Sequence, residues 1–509
     1  MSVRPLQGAP LVLLTLGLSL GTFMQVLDSS IANVSLPAIA GDLAVSPSQG
    51  TWVITSFAVS NAIFLPLTGW LTRRFGDVRL FILSTLLFTL ASWLCGLANS
   101  LPLLIAARVF QGAVAGPMVP LSQSLLLNSY PPEQKGLALA LWSMTVVVAP
   151  VLGPILGGWI TDNISWPWIF YINLPFGLLS AFITWTLIGK RSSQPIHSPI
   201  DTVGLVLLVL GIGALQVLLD RGNELDWFES GEILAYGLVS VVCLALLIVW
   251  ELTDRHPVVE LRLFAQRNFL VGTLILSVGY MVFFGNVVIL PLWLQTSMGY
   301  TATWAGLAAA PVGLVPLILS AVVGKNLHRI DLRIWASFSF AIFAAVSFWN
   351  SQFTSHVSFE QIVLPRIVMG FGVATFFVPL TALTLAGIPA RQLPSATGLS
   401  NFCRLLAGSF GTSLSITLWQ RRDSYHHSVL VEHVSSLDPH ALEALAPLAA
   451  PELETAAILN QIISKESLLM ATNDISWLSG CFFAALIVLV WLAKPPQGGI
   501  NAAAGGGEH

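Results

Sequence analysis

Gly69-Trp-Leu-Thr-Arg-Arg-Phe-Gly-Asp-Val-Arg79 and Gly324-Lys-Asn-Leu-His-Arg-Ile-Asp-Leu-Arg333 begin 255 residues apart. With one gap, Gly69, Arg74, Asp77 and Arg79 match Gly324, Arg329, Asp331 and Arg333. A second pair repeats at nearly the same offset. Arg108-Val-Phe-Gln-Gly112, then Pro120-Leu121, is answered 258 residues on by Arg366-Ile-Val-Met-Gly370, then Pro379-Leu380. Two matches at nearly one spacing indicate a duplicated unit. A duplicated bundle of membrane helices is how many transporters are built, because two halves can rock about a site at their interface.

Outward from these stretches the chain is oily. Hydrophobic residues fill 55% of its 509 positions and charged residues 9%, against roughly 25% charged in a soluble domain. So little charge cannot cover a surface facing water, and the solvent is mostly lipid. A net charge of -3 offers no basic surface to nucleic acid. The first apolar run, Leu11 to Leu27, leads into Asp28 instead of a small-residue cleavage site, so it is expected to stay as a helix.

The expected fold is an all-α membrane protein of fourteen transmembrane helices, at 11–37, 51–71, 78–98, 101–127, 136–160, 167–189, 202–219, 231–252, 269–296, 303–324, 332–351, 360–386, 395–419 and 475–493. Spans 1–6 repeat as spans 9–14, and spans 7–8 are an inserted pair. This divides the chain into 1–190, 191–260 and 261–509. Residues 420–474 read as a long loop outside the membrane, with short helices over its Ala/Leu/Glu-rich stretch from Leu442 to Leu459. Of the 22 Lys and Arg residues, Arg108, Arg366 and Arg404 lie within spans, and Arg221, Arg421, Arg422 and Lys465 fall on one side. The rest fall on the side of the termini, which the positive-inside rule makes cytoplasmic.

Charges deep in apolar runs are expensive and therefore informative. Asp28 sits in span 1 and Arg108 in span 4, at depths that differ by about 3 Å from the rise per residue. Thr22, Gln25, Ser29 and Asn33 form a polar stripe with Asp28 at its edge, and Arg108, Gln111, Ala115 and Ser122 form another. Both are expected to face a wet interior. Two roles stand open for Asp28. It could take up and release a coupling proton, since burial favours a neutral carboxyl and an approaching guanidinium favours the charged form. Alternatively, Asp28 and Arg108 form a fixed pair that sets helix packing. With Pro37 aligned to Pro291, Val282 stands opposite Asp28 in the second half, so the acid is confined to the first.

In span 5, Pro150 and Pro154 loosen the backbone ladder, while Gly153, Gly157 and Gly158 permit close helix contact. The choice is between simple packing and a sealed seam between the two halves. Gly69, Arg73, Arg74, Gly76, Asp77 and Arg79 either hold a loop inside the cell or latch onto the second half. Candidates to line a substrate path are Met24, Gln25, Asn33, Asn61, Gln123, Met144, Asn286, Phe377, Asn401 and Arg404. Gly17-Leu-Ser-Leu-Gly21 fits a nucleophile-elbow pattern, but it sits within an apolar span with no strand before it. No nucleotide-binding glycine loop, metal-spaced cysteine set or catalytic cluster appears, so no enzyme activity, metal or cofactor is expected.

At these motifs the chain resembles the major facilitator superfamily, in its fourteen-span drug:proton antiporter branch (DHA2). The segment Gly69–Arg79 resembles the loop between spans 2 and 3 of that family. It departs at Arg73, where the superfamily usually carries Asp. Arg108-Val-Phe-Gln-Gly112 resembles the span 4 motif tied to proton transfer, and Gly153-Pro154 with Gly157-Gly158 the span 5 antiporter motif. Leu27-Asp-Ser-Ser-Ile-Ala-Asn-Val-Ser-Leu-Pro37 resembles the span 1 signature, with Asp28 as its acid. Gly50-Thr-Trp-Val-Ile-Thr-Ser-Phe57 and Gly299-Tyr-Thr-Ala-Thr-Trp-Ala-Gly306 bring the likeness closer, to EmrB-type pumps. The resemblance implies proton-driven export of hydrophobic drugs and toxic compounds across a bacterial inner membrane. It also implies a periplasmic adaptor and an outer-membrane channel as partners, with 420–474 as a docking surface. An exporter of one metabolite or siderophore on the same scaffold is the alternative; a channel is the rival of another class.

Overall fold

The computed structural model describes residues 7–191, 201–254, 257–327, 329–433 and 452–495. Among the described residues the regular structure is helical. The first half comprises α1 (Ala9–Asp42), α2 (Trp52–Phe64), α3 (Thr68–Phe75), α4 (Asp77–Gly96), α5 (Leu101–Ala115), α6 (Met118–Ser129), α7 (Lys135–Asn163) and α8 (Asn173–Ile188). The inserted pair is α9 (Thr202–Arg221) and α10 (Gly231–Thr253). Then follow α11 (Arg267–Thr296), α12 (Ala302–Ala309), α13 (Pro311–Asn326), α14 (Leu332–Asn350), α15 (Phe359–Leu385), α16 (Leu393–His433) and α17 (Glu452–Val490).

Among the described residues, eleven helical stretches are long and apolar enough to cross a membrane, and thirteen if two bent pairs each count as one. The bends have chemical causes. Pro66 stands where α2 and α3 meet at 65°, and Pro150 stands at the 44° bend in α7, since proline removes a ladder hydrogen bond and crowds the preceding turn. The expected thirteenth span lies in α16, which is not among those thirteen. Many serines and threonines in these helices bond back to their own backbone. Thr85 donates to the Phe81 carbonyl at 2.8 Å and Thr89 to that of Thr85 at 2.8 Å, which leaves neither hydroxyl bare in the apolar interior.

The two halves touch closely at the face where α3 ends and α16 begins. A Cβ on Gly136 of α7 would overlap the Gly324 carbonyl of α13, and one on Gly324 would lie 2.5 Å from the Gly136 carbonyl. Gly69 meets Ser395 in the same way. Thr397 donates to the Pro120 carbonyl at 3.1 Å. This face is closed. The inserted pair is fastened at both ends. Arg73 pairs with Glu260 and donates to the Pro257 carbonyl at 3.4 Å. At the other face Gln216 donates to Ser409 at 3.1 Å and Trp227 to Thr417 at 3.0 Å.

The expected loop over 420–474 is corrected. Residues 420–433 continue α16 and residues 452–474 belong to α17, while 434–451, with most of the expected short helices, lie outside the described residues. The 41 residues of α16 span roughly 60 Å, twice a hydrocarbon core, so the helix runs on beyond the membrane. Its polar end is stitched to α17. Trp419 donates to Thr472 at 2.9 Å, Arg422 pairs with Asp474 at 2.6 Å, and His426 lies 2.7 Å from the same carboxylate.

Candidate functional site

Asp28 and Arg108 are both fully buried, and they meet. Arg108 Nη1 donates to Asp28 Oδ2 at 2.6 Å. The second carboxylate oxygen accepts from Gln111 Nε2 at 3.0 Å and Asn173 Nδ2 at 2.8 Å. Arg108 is steadied in turn. Its Nε donates to the Val53 carbonyl at 3.1 Å, its Nη1 also donates to Gln111 Oε1 at 2.7 Å, and its guanidinium carbon lies 4.2 Å from the Phe57 ring centroid. Asn173 also donates to Ser92 at 2.9 Å, and Ser92 donates to the Phe170 carbonyl at 2.9 Å. Five helices thus converge on one carboxylate: α1 supplies it, α5 the guanidinium and Gln111, α2 the Val53 carbonyl, α4 Ser92 and α8 Asn173.

Isolated charges at this depth would each cost several kcal/mol, and good geometry with further hydrogen bonds is what makes the pair tolerable. The expected stripes also meet, since Thr22 and Ser122 lie 2.6 Å apart and Trp142 donates to Ser122 at 3.1 Å. Asn173 and Ser92 were not singled out from the sequence. Lone uncharged polar residues are common in apolar helices, and nothing local marks these two.

In the second half Arg366 of α15 occupies the place of Arg108 without an acid. It is buried, its Nε finds no hydrogen-bond partner, and no ion pair forms on it among the described residues. Val282, opposite Asp28 in the alignment, is buried in the apolar core.

The path candidates divide. Gln123, Phe377, Asn401 and Arg404 line one cavity between the halves, together with Trp142 and Leu276. Asn401 bridges the halves by donating to Gln123 Oε1 at 2.9 Å. Met24 is core, packed with Phe57, Phe88 and Met118. Asn286 points into the second bundle, donating to Ser479 at 2.8 Å. Gln25 and Asn61 are buried, each with a carbonyl oxygen lacking a partner. Asn33 is exposed and Met144 half-buried.

Gly153 and Gly157 of α7 pack against α1, not across the seam. A Cβ on Gly153 would strike Ser30, and one on Gly157 would lie 2.9 Å from the Ile31 carbonyl. Gly158 has only Val34 within reach, at 3.8 Å. Close approach between the halves falls to Gly136 and Gly324 instead. In the loop motif, Gly76 takes a positive φ of 83°, a conformation suited to glycine, and ends α3. Asp77 then opens the next helix, its side chain accepting from the Val78 amide at 2.8 Å and placing an acid in the first turn. Arg74, Asp77 and Arg79 are all engaged in further contacts.

Comparison with known proteins agrees with this architecture. The family model described as "Major Facilitator Superfamily" matches residues 18–412. The chain is 54% identical to "Multidrug export protein EmrB" of Haemophilus influenzae over 97% of its own length and 98% of that protein. It is 52% identical to the protein of the same name in Escherichia coli, over 99% of each. It is 48% identical to "Fatty acid resistance protein FarB" of Neisseria gonorrhoeae over the full length of both. Among solved structures it superposes on the proton:xylose symporter XylE with a TM-score of 0.60, covering 94% of this chain and 95% of that one at 15% identity. The duplicated motifs, the paired bundles and these likenesses converge: the chain belongs to the major facilitator superfamily of membrane transporters.

Proposed function

We propose that the chain exports hydrophobic small molecules across a bacterial inner membrane in exchange for protons. On this reading the chain crosses fourteen times, with α16 providing the thirteenth, so both termini lie on one side, and the Lys and Arg bias makes that side the cytoplasm. The observation that carries the reading is Asp28, a fully buried carboxylate held by Arg108, Gln111 and Asn173 where four other helices meet α1. Protonation there changes what those helices can bond to, so proton binding and helix arrangement are linked. The proton gradient serves as the energy source, and no cofactor is required. The names of two relatives, multidrug export and fatty acid resistance, support drugs as the cargo, and the apolar character of the helices that the cargo must pass favours hydrophobic ones.

Purified protein in liposomes tests this. An imposed proton gradient should drive accumulation of a hydrophobic fluorescent dye, and added dye should release protons in return. Dye flux without proton counterflow would replace antiport with a channel or facilitator.

The outer ends of α16 and α17 are the docking surface for a periplasmic adaptor, which links the pump to an outer-membrane channel. Deleting 425–470 and bridging the gap with a short Gly-Ser linker leaves the Trp419–Thr472 and Arg422–Asp474 contacts in place. Membrane insertion should survive, and co-purification with the adaptor should fall to background. Undiminished association would put docking elsewhere.

A further inference from the structure

Where α9 begins and α10 ends, at the closed face, two acids meet that the export mechanism does not use. Glu251 of α10 is 1% exposed. Its Oε2 accepts from the Val259 amide at 3.1 Å, while its Oε1 is buried without a hydrogen-bond partner. Oε1 is the atom that faces Asp201, the residue before α9, whose side chain caps that helix by accepting from the Gly204 amide at 2.9 Å. A Cβ on Gly204 would overlap Asp201 Oδ2 and lie 2.8 Å from Glu251 Oε1, so the two oxygens border one position that glycine leaves clear. Trp250 holds Asp201 in place, its indole nitrogen donating at 3.0 Å to both carboxylate oxygens. The other charges nearby do not neutralise this pair. Asp254, just past α10, is a third acid. Arg262 is turned to the Leu252 carbonyl at 3.4 Å, and Arg73 is taken up by Glu260. No Lys or Arg pairs with Asp201 or Glu251 among the described residues.

Two faults coincide in this arrangement. A buried carboxylate oxygen lacks a donor, which is costly, and a second carboxylate faces it, so like charges repel at short range with no cation to offset them. A single proton cures both. It removes one of the two charges, and it supplies the missing donor, because a protonated Oε1 can donate to Asp201 Oδ2. Two carboxyl groups that share one proton in this way are a recurrent solution where like charges crowd together. We propose that Asp201 and Glu251 share one proton, as a second proton-binding site distinct from Asp28, and that this proton locks the inserted pair onto the closed face.

The lock reaches the first half through the backbone. Glu251 fastens the Val259 amide, and the next residue, Glu260, pairs with Arg73 of α3. Val258, Val259 and Leu263 are buried in the same apolar core as Phe269 and Leu276 of α11, so this segment moves with the second half. With the proton in place, α9 and α10 are drawn together and the segment is held where Glu260 meets Arg73. Without it, the two carboxylates repel, Glu251 turns toward water, and the tie behind the Arg73–Glu260 pair slackens. The sign follows: acidity on this side keeps the face closed, and rising pH favours its opening.

The test uses the full-length protein in detergent, where no transport takes place. Proton uptake on acidification from about pH 9 to about pH 6, read with a pH-indicator dye, should be about one proton per chain smaller in Glu251→Gln than in the wild type. Asp201→Asn should keep that proton but take it up at lower pH, because the remaining carboxyl no longer meets a like charge. Spin labels at Glu133→Cys and Lys325→Cys, on opposite halves, then read the closed face in a background that carries Asp28→Asn and lacks the native cysteines. With Glu251 present, the ratio of short to long distances should fall at least about threefold from the lower pH to the higher. With Glu251→Gln, whose amide donates to Asp201 as the protonated acid would, the short distance should dominate at both. Equal proton uptake in the wild type and Glu251→Gln would overturn the proposal, as would an uptake curve that Asp201→Asn leaves unmoved. A pH response of the labels that survives Glu251→Gln would also overturn it. So would a short-distance population lowered equally at every pH, which would make Glu251 a packing residue. Binding that tracks sodium or potassium concentration instead of pH would make the pair a metal-ion site and defeat the shared proton. None of these readings needs dye–proton exchange, so failure of export in liposomes leaves them standing, and failure here leaves export intact.

Discussion

Asp28→Asn should abolish proton-coupled transport while leaving substrate binding nearly intact. Three donors surround the carboxylate: Arg108 on one oxygen, and Gln111 and Asn173 on the other, with Ser92 behind Asn173 and accepting from it. A proton arriving on Asp28 removes the charge that holds Arg108. The guanidinium then keeps the Val53 carbonyl, the Gln111 side chain and the Phe57 ring, so the charge-held tie between α1 and α5 loosens without unfolding either. Asparagine imitates that protonated form permanently. It fills the same space and still accepts through its oxygen, but its amide presents N–H to Arg108 and it cannot cycle. The expected loss in gradient-driven transport is on the order of 100-fold or more, as for removal of a proton-transferring group. Gradient-independent binding should stay within about threefold, because the change alters coupling and not the cavity. Arg108→Ala makes a useful contrast. It strands a buried carboxylate, for which about 3–5 kcal/mol is typical, so lowered thermal stability should accompany its loss of function. Proton-coupled transport by Asp28→Asn at the wild-type rate would remove the carboxyl from the mechanism.

Why Asp28 and Arg108 could be found in the sequence, and Asn173 could not, is a matter of energy scale. A charge in hydrocarbon is so costly that its presence marks a site, whereas an amide or hydroxyl can satisfy itself on its own helix and carries little information. The duplication was legible because glycine, arginine and aspartate recur at helix ends where topology demands them. What charge signals cannot do is find helix ends in a helix that leaves the membrane. The charges at Arg421, Arg422 and Asp423 mark where apolar solvent ends, yet no glycine or proline stands between Gly411 and Pro439, so α16 has no reason to stop there and does not. Contacts across the halves were hidden for another reason. The Pro and Gly cluster of α7 is conspicuous, but its glycines serve the neighbouring α1 in the same bundle. Gly136 stands alone in the chain and becomes important only when Gly324 is brought to it.

That last pair yields the second large effect: Gly136→Val should stop transport by preventing closure of the terminal face. The added Cβ would overlap the Gly324 carbonyl, with the Leu327 Cβ at 3.2 Å. A backbone oxygen cannot rotate away as the end of a long side chain can, and packed interiors shift as blocks. The halves must therefore separate locally, which also strains the Gly69–Ser395 and Thr397–Pro120 contacts. Since α7 itself is unobstructed within its own bundle, the variant should fold and insert normally. It should favour the arrangement open at this face, because the closed one alone carries the clash, and a shift of even 3 kcal/mol changes such an equilibrium by on the order of 100-fold. Spin labels at Glu133→Cys and Lys325→Cys, both exposed and on opposite halves, would report this in a background lacking the four native cysteines. The short-distance population of the parent should give way to a longer one in Gly136→Val, and Gly136→Ala should fall between. Retention of the short distance together with full transport in Gly136→Val would show that the seal forms elsewhere and that the two glycines are neighbours without consequence.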